Sequence, residues 1–306
     1  MTGDLSPKRW AIDISQVLNE VLGPEHFPII VEEVAVEFSR QRFPSDPITL
    51  VKGDVLPKFD GALVRAPAGK TGWGIIYNKA ITSPGRINFT LAHEFGHYLL
   101  HRLRYPNGLR CGEQDVVRWD SEYGQVEYQA NVFASYLLMP LDDYRRQIDS
   151  RAEVTLELLE HCTDHYNVSL IAATLKWLEF TERRAVLVVS RDGFILWARS
   201  SEKALKTGAY FRTSGAPIPI PTRSIAAARG MEVDSPRNGI ELPAGIWFKD
   251  ESCREIAVFS EQYDFAISLL QLPNDGGYSR FNRNNDEGED DQEDLLDRIK
   301  KNHGLP

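Results

Sequence analysis

Two histidines and a glutamate in His93-Glu94-Phe95-Gly96-His97 are the first residues of the chain whose types and spacing suit chemistry. On a helix, positions i and i+4 share a face, so both imidazoles reach one ion at the roughly 2.0–2.1 Å of zinc–nitrogen bonds. Glu94 then lies beside the ion rather than on it. There a carboxylate takes a proton from a water that the ion activates and passes it to a leaving amine. The pattern is that of metal-assisted hydrolysis, and an open site of this kind needs a third protein ligand. A third histidine six residues past His97 is ruled out, because Leu100 and Leu103 stand where that pattern needs Gly and His.

The remaining solution takes a carboxylate from a following helix. Glu127 fits, and Asn131 lies four residues later on the same face. Asn131 would accept a hydrogen bond from the outer nitrogen of His93 or His97 and so fix its tautomer. Ala130 and Ala134 permit that helix to approach closely, whereas Glu122 and Asp120 are the competing acids. His101 is one turn beyond His97 but has drifted around the helix from His93, and it reads as a polar helix-end residue outside the site. For an oxyanion stabiliser, Tyr98, Tyr123 and Tyr128 stay open as candidates.

These residues need elements to hold them. The histidine helix should open at Ser83-Pro84, a capping residue followed by a proline at the first helical position, and run to about Leu103. A second helix should begin near Glu122 to Glu127 and stop at Met139-Pro140, with a short third from Pro140 to Ile148. Phe27 to Arg42 carries Ile30, Val31, Val34 and Phe38 at helical spacing. Leu50-Val51, Ala62 to Val64 and Trp73 to Tyr77 are β-prone and separated by Gly and Pro, which predicts a small sheet. Leu156 to Leu178 gives two helical patterns joined at Tyr166-Asn167-Val168-Ser169, a helix-turn-helix outline. From Arg184 strands are expected at Ala185–Ser190, Phe194–Ala198, Ile246–Phe248, Glu255–Phe259 and Phe265–Leu272, with a turn at Arg191-Asp192-Gly193. The fold class is α+β. The expected domains are 1–150 (core 27–150), 151–183, 184–273, and an acidic tail at 274–306. That tail carries eight carboxylates between Asp286 and Asp297, a composition too polar to order itself.

Charge and cysteine usage narrow the function classes. With 306 residues and a net charge of −9, the chain is a poor general ligand for phosphate backbones. Residues 151–182 hold two basic residues, Arg151 and Lys176, against six acids, so the helix pair reads as a packing platform and direct DNA binding is disfavoured. Cys111, Cys162 and Cys253 have no Cys-x-x-Cys spacing and suit a reducing compartment. No apolar run is long enough to span a membrane, and the amino terminus lacks the order of a secretion signal, so a soluble cytoplasmic protein is expected.

Phe89 to Leu100, followed by Glu127-Tyr128-Gln129-Ala130-Asn131-Val132-Phe133-Ala134 and Leu137-Leu138-Met139-Pro140, resembles the ImmA/IrrE family of bacterial zinc metallopeptidases. The likeness covers about residues 27 to 150. The whole arrangement is further similar to the IrrE type, with a zincin-like peptidase domain, a helix-turn-helix-like segment and a GAF-like carboxy-terminal domain. The resemblance implies zinc held by His93, His97 and Glu127, with Glu94 as the catalytic residue. It also implies cleavage of XRE-type helix-turn-helix repressors, in response to DNA damage or for a mobile element. A small-molecule signal is a candidate ligand of the last domain. The rival expectation is a signal-sensing interaction protein whose metal site is structural or vestigial.

Overall fold

The computed structural model describes residues 6–111, 122–228, 237–260 and 264–275. It divides into two compact units. One comprises the described residues of 6–143 with Thr163–Ser169, and the other Tyr144–Cys162 with the described residues of 170–275. No helix among the described residues is long and apolar enough to cross a membrane.

The first unit is built from helices α1 (Pro7–Leu22), α2 (Val31–Arg42), α3 (Pro84–His101) and α4 (Glu122–Leu138). They accompany strands β1 (Ile48–Asp54), β2 (Gly61–Arg65), β3 (Trp73–Asn78) and β4 (Gly108–Cys111), in the sheet order β1-β3-β2-β4. Strand β1 runs parallel to β3, while β2 is antiparallel to both β3 and β4. Leu63, Trp73 and Ile75 are buried on this sheet, and α3 packs against β2, β3 and α4.

The expected start of α3 is present: Ser83 is the N-cap, its hydroxyl accepts from the Arg86 N–H, and Pro84 occupies the first turn. The same signature at Ser6-Pro7 opens α1, with Ser6 accepting from the Arg9 N–H. The sequence reading passed over α1, although Ala11 and Ile14 are buried on it. Helix α2 starts at Val31 rather than Phe27, because Pro28 lacks an N–H and keeps the residue before it out of helical conformation. Its buried stripe is Val31, Ala35 and Ser39, and Ile30 is exposed.

In the second unit, α7 (Leu170–Phe180) precedes a five-stranded antiparallel sheet. The strands are β5 (Arg184–Arg191), β6 (Phe194–Ser200), β7 (Ile240–Leu242), β8 (Cys253–Ser260) and β9 (Phe265–Leu272), in the order β6-β5-β9-β8-β7. Two short helices, α5 (Leu141–Gln147) and α6 (Leu156–Tyr166), have residues in both units, and α8 (Glu202–Lys206) follows β6. The hairpin between β5 and β6 turns at Asp192 and Gly193, both at positive φ (53° and 80°), as a two-residue turn of this hand requires. At the turn after α6, Asn167 takes positive φ (50°).

One expected strand is corrected. Ile246–Phe248 is irregular, and the edge strand is Ile240–Leu242 instead. Trp247 is apolar and buried because its ring packs on the core of the sheet while its Nε1–H donates to Glu255, so burial rather than strand pairing explains the run. Of the expected tail, 274–306, Asn274 and Asp275 are described and the remainder lies outside the described residues.

Candidate metal centre

Helix α3 is buried over most of its length, which is unusual for a helix carrying three histidines and a glutamate. Gly96 explains how a second helix comes so near. A Cβ there would meet Phe133 Cδ1 at 2.9 Å and the Ala130 Cα at 3.3 Å, so the absent side chain, with Ala130 opposite, sets the approach of α3 and α4.

That approach brings together the three residues singled out as ligands. His93, His97 and Glu127 are all buried, and one donor atom from each lies within 4.8 Å of the other two. His93 Nε2 is 2.9 Å from His97 Nε2 and 3.1 Å from Glu127 Oε2, while His97 Nε2 is 3.3 Å from Glu127 Oε1. Three ligands at tetrahedral angles around zinc would stand about 3.3 Å apart. The donor set is therefore spaced for one small ion, and two imidazoles with a carboxylate suit zinc chemically.

The outer ring nitrogens have partners as well. His93 Nδ1–H donates to Asn131 Oδ1 at 2.9 Å, the atom an amide oxygen of α4 was expected to supply. His97 Nδ1 lies 3.0 Å from His101 Nδ1, and His101 Nε2 lies 2.9 Å from Gln129 Oε1. Burial acts on every imidazole here. It would lower the His93 pKa, but the hydrogen bond and charge of Glu127, helped by Glu94 and Asn131, reverse the sign and raise it. His97 is pushed down to about 4 by burial and by the neighbouring His93. His101 is lowered by burial. For Glu127, burial acts upward, yet the adjoining imidazoles of His93 and His97 hold the carboxyl well below its usual range. The raised His93 pKa favours a proton there beside the carboxylate, and a divalent ion would take over that task.

Glu94 is fully buried beside this trio. Strand β2 leaves it room: a Cβ on Gly61 would fall 2.6 Å from Glu94 Oε1 and 2.6 Å from Thr90 Cγ2.

Residues 49–177 match the family model described as the IrrE N-terminal-like domain, peptidase M78. This stretch is an IrrE N-terminal-like domain. No curated protein matches the chain. The match contains α3 and α4 whole, and it leaves α1, α2 and the sheet of the second unit outside it.

Within the IrrE N-terminal-like domain, a metallopeptidase type, the buried His93, His97 and Glu127 suit a metal cofactor. Of the three tyrosines considered for an oxyanion, Tyr98 is committed elsewhere. Its hydroxyl donates to the Asp46 carbonyl at 2.8 Å, and burial pushes its pKa up to about 12. Tyr128 is half-buried on α4, and the side chain of Tyr123 lies outside the described residues. So do Asp120 and the side chain of Glu122, the acids that competed with Glu127. Sequence reasoning set His101 outside the site as a polar helix-end residue, and it passed over Gln129 behind His101 and Gly61 over Glu94. The repeat of histidine at 93, 97 and 101 was the available signal for the first of these.

Proposed function

We propose that the chain is a zinc-dependent endopeptidase. His93, His97 and Glu127 bind the ion, Asn131 fixes His93 through its Nδ1–H, and Glu94 is the general base. The observation that carries this reading is the convergence of three buried donors at 2.9–3.3 Å, spaced for one ion. When bound, zinc supplies Lewis acidity that polarises the scissile carbonyl and acidifies a water. Glu94, one residue past the first ligand, takes that water's proton and returns it to the departing amine. The buried setting keeps bulk solvent from screening these charges.

The proposed substrate is an XRE-type helix-turn-helix repressor in the cytoplasm, whose cleavage switches on a DNA-damage or mobile-element response. The likeness to the ImmA/IrrE family supports this. We read residues 151–183 as a helix-turn-helix-like platform and 184–273 as a GAF-like sensor or docking domain. Their acidic helix pair and antiparallel sheet support a role in presenting substrate or receiving a signal, rather than in holding DNA.

The test is Glu94→Gln, assayed with zinc analysis and a cognate repressor. Zinc content should be retained and cleavage should fall by about 10²–10⁴-fold, the usual share of a general base. An undiminished rate would sink the mechanism.

A further inference from the structure

His101 is only 4% exposed, although it closes the last turn of α3 and touches none of the groups that the proposed chemistry uses except His97. Each four-residue step along a helix advances about 40° around the axis. Two such steps carry His101 away from Glu127, so it cannot serve as a fourth donor. They place it behind His97 instead.

The proton positions follow from the atoms in contact. Gln129 Oε1 is a carbonyl oxygen and only accepts, so the hydrogen bond at 2.9 Å is donated by His101 Nε2–H. A neutral imidazole has one proton, which leaves His101 Nδ1 with a lone pair. His97 Nδ1, 3.0 Å away, must then be the donor. His97 Nε2 is left unprotonated, with its lone pair toward His93 and Glu127, and that is the tautomer a metal ligand needs.

We infer that His101 is a positioning residue which, held by Gln129, locks His97 in the metal-binding tautomer and ring orientation. The inference rests on the reading of His97 as a metal ligand. The two ligand histidines are thus fixed by different devices: His93 by an amide from α4, and His97 by a histidine of its own helix that is itself held from α4. A histidine that merely filled space would be indifferent to which ring nitrogen carries its proton.

The experiment uses the full chain in three forms: wild type, His101→Asn and His101→Leu. Asparagine places an acceptor oxygen near the lost Nδ1, whereas leucine supplies bulk without one. In competition with a chelator, His101→Leu should bind zinc roughly 10–100-fold more weakly, the usual effect of losing an outer partner, and His101→Asn should stay within about threefold of wild type. Gln129→Leu should fall between them. Nitrogen-15 spectra of the metal-free wild type should show the proton on Nδ1 of His97 and on Nε2 of His101. The opposite tautomer at His101 overturns the inference, and so does an equal loss of affinity in the asparagine and leucine variants. If His101→Leu fails to fold, as judged by circular dichroism, Gln129→Leu and the tautomer spectrum decide. A wild-type chain that binds zinc while a folded His101→Leu binds it equally well overturns this inference alone. A wild-type chain that takes up no zinc overturns the reading of the site as well.

Discussion

Each of the two units buries a glutamate, and the two are held in opposite ways. Glu255, on β8, is fully buried and accepts four hydrogen bonds. They come from the Ile225 N–H (2.8 Å), the Ala226 N–H (3.2 Å), the Trp247 Nε1–H (3.0 Å) and the Ser268 hydroxyl (2.9 Å). None of these donors gives up its proton near neutral pH, so the charge is satisfied in place and ties the 221–228 segment to the sheet. Glu127, on α4, faces two imidazole nitrogens that do exchange protons. Burial of a carboxylate therefore does not mark a site by itself. The capacity of its partners to lose a proton does, because only then can a metal ion take the proton's place.

Exchanging the two carboxylates for leucine separates these roles. Glu127→Leu should abolish tight zinc binding, a loss larger than the roughly 10–100-fold of an outer-partner change. Its unfolding midpoint should change less than that of Glu255→Leu, because an imidazole left without its carboxylate can shed its proton rather than stay an orphaned charge; calorimetric titration and denaturant melts check both. Glu255→Leu should do the reverse, leaving zinc affinity intact while destabilising the carboxy-terminal unit by at least about 4 kcal/mol, since four buried donors are orphaned and each costs about 1–3 kcal/mol. Tryptophan emission during denaturation would report it, and an unchanged midpoint would break the comparison.

Gly96→Ala should cost about 1–3 kcal/mol through overpacking against Phe133 and Ala130. It should also weaken zinc binding, because spreading α3 from α4 draws Glu127 off the histidines. A stability loss with unchanged affinity would show that the helix spacing does not set the site. The smallest effect concerns protons. The raised pKa of His93 means that it is protonated below that value and that the ion must displace the proton, so affinity falls as pH drops through it. His97, titrating at about 4, stays neutral across the same window. Titration calorimetry in buffers of different ionisation heat should accordingly find the histidines releasing about one proton per zinc, not two, on the acid side of the His93 pKa.

Much of the site was legible because its logic is local. His93 and His97 share a face through helical periodicity, and Glu127 with Asn131 repeats the device on a second helix. Ser83-Pro84 marked where α3 begins. The same local signal was present at Ser6-Pro7, yet α1 was passed over, since its apolar positions are interleaved with exposed Ile12 and Val17. Ile246–Phe248 misled for the opposite reason. Its apolar character reflects the Trp247 ring seated on the sheet core, and periodicity over three residues does not distinguish a buried loop from a strand.

By itself, then, the sequence determined which residues could bind an ion and on which helices they would lie, because i, i+4 geometry is a property of each helix alone. Only the tertiary structure decided that the two helices meet at the distance one ion requires. The same packing of side chains far apart in the chain presses Gly61 against Glu94 and sets His101 between His97 and Gln129. The pentapeptide supplied two donors, and the close approach of α3 and α4 at Gly96 made them three.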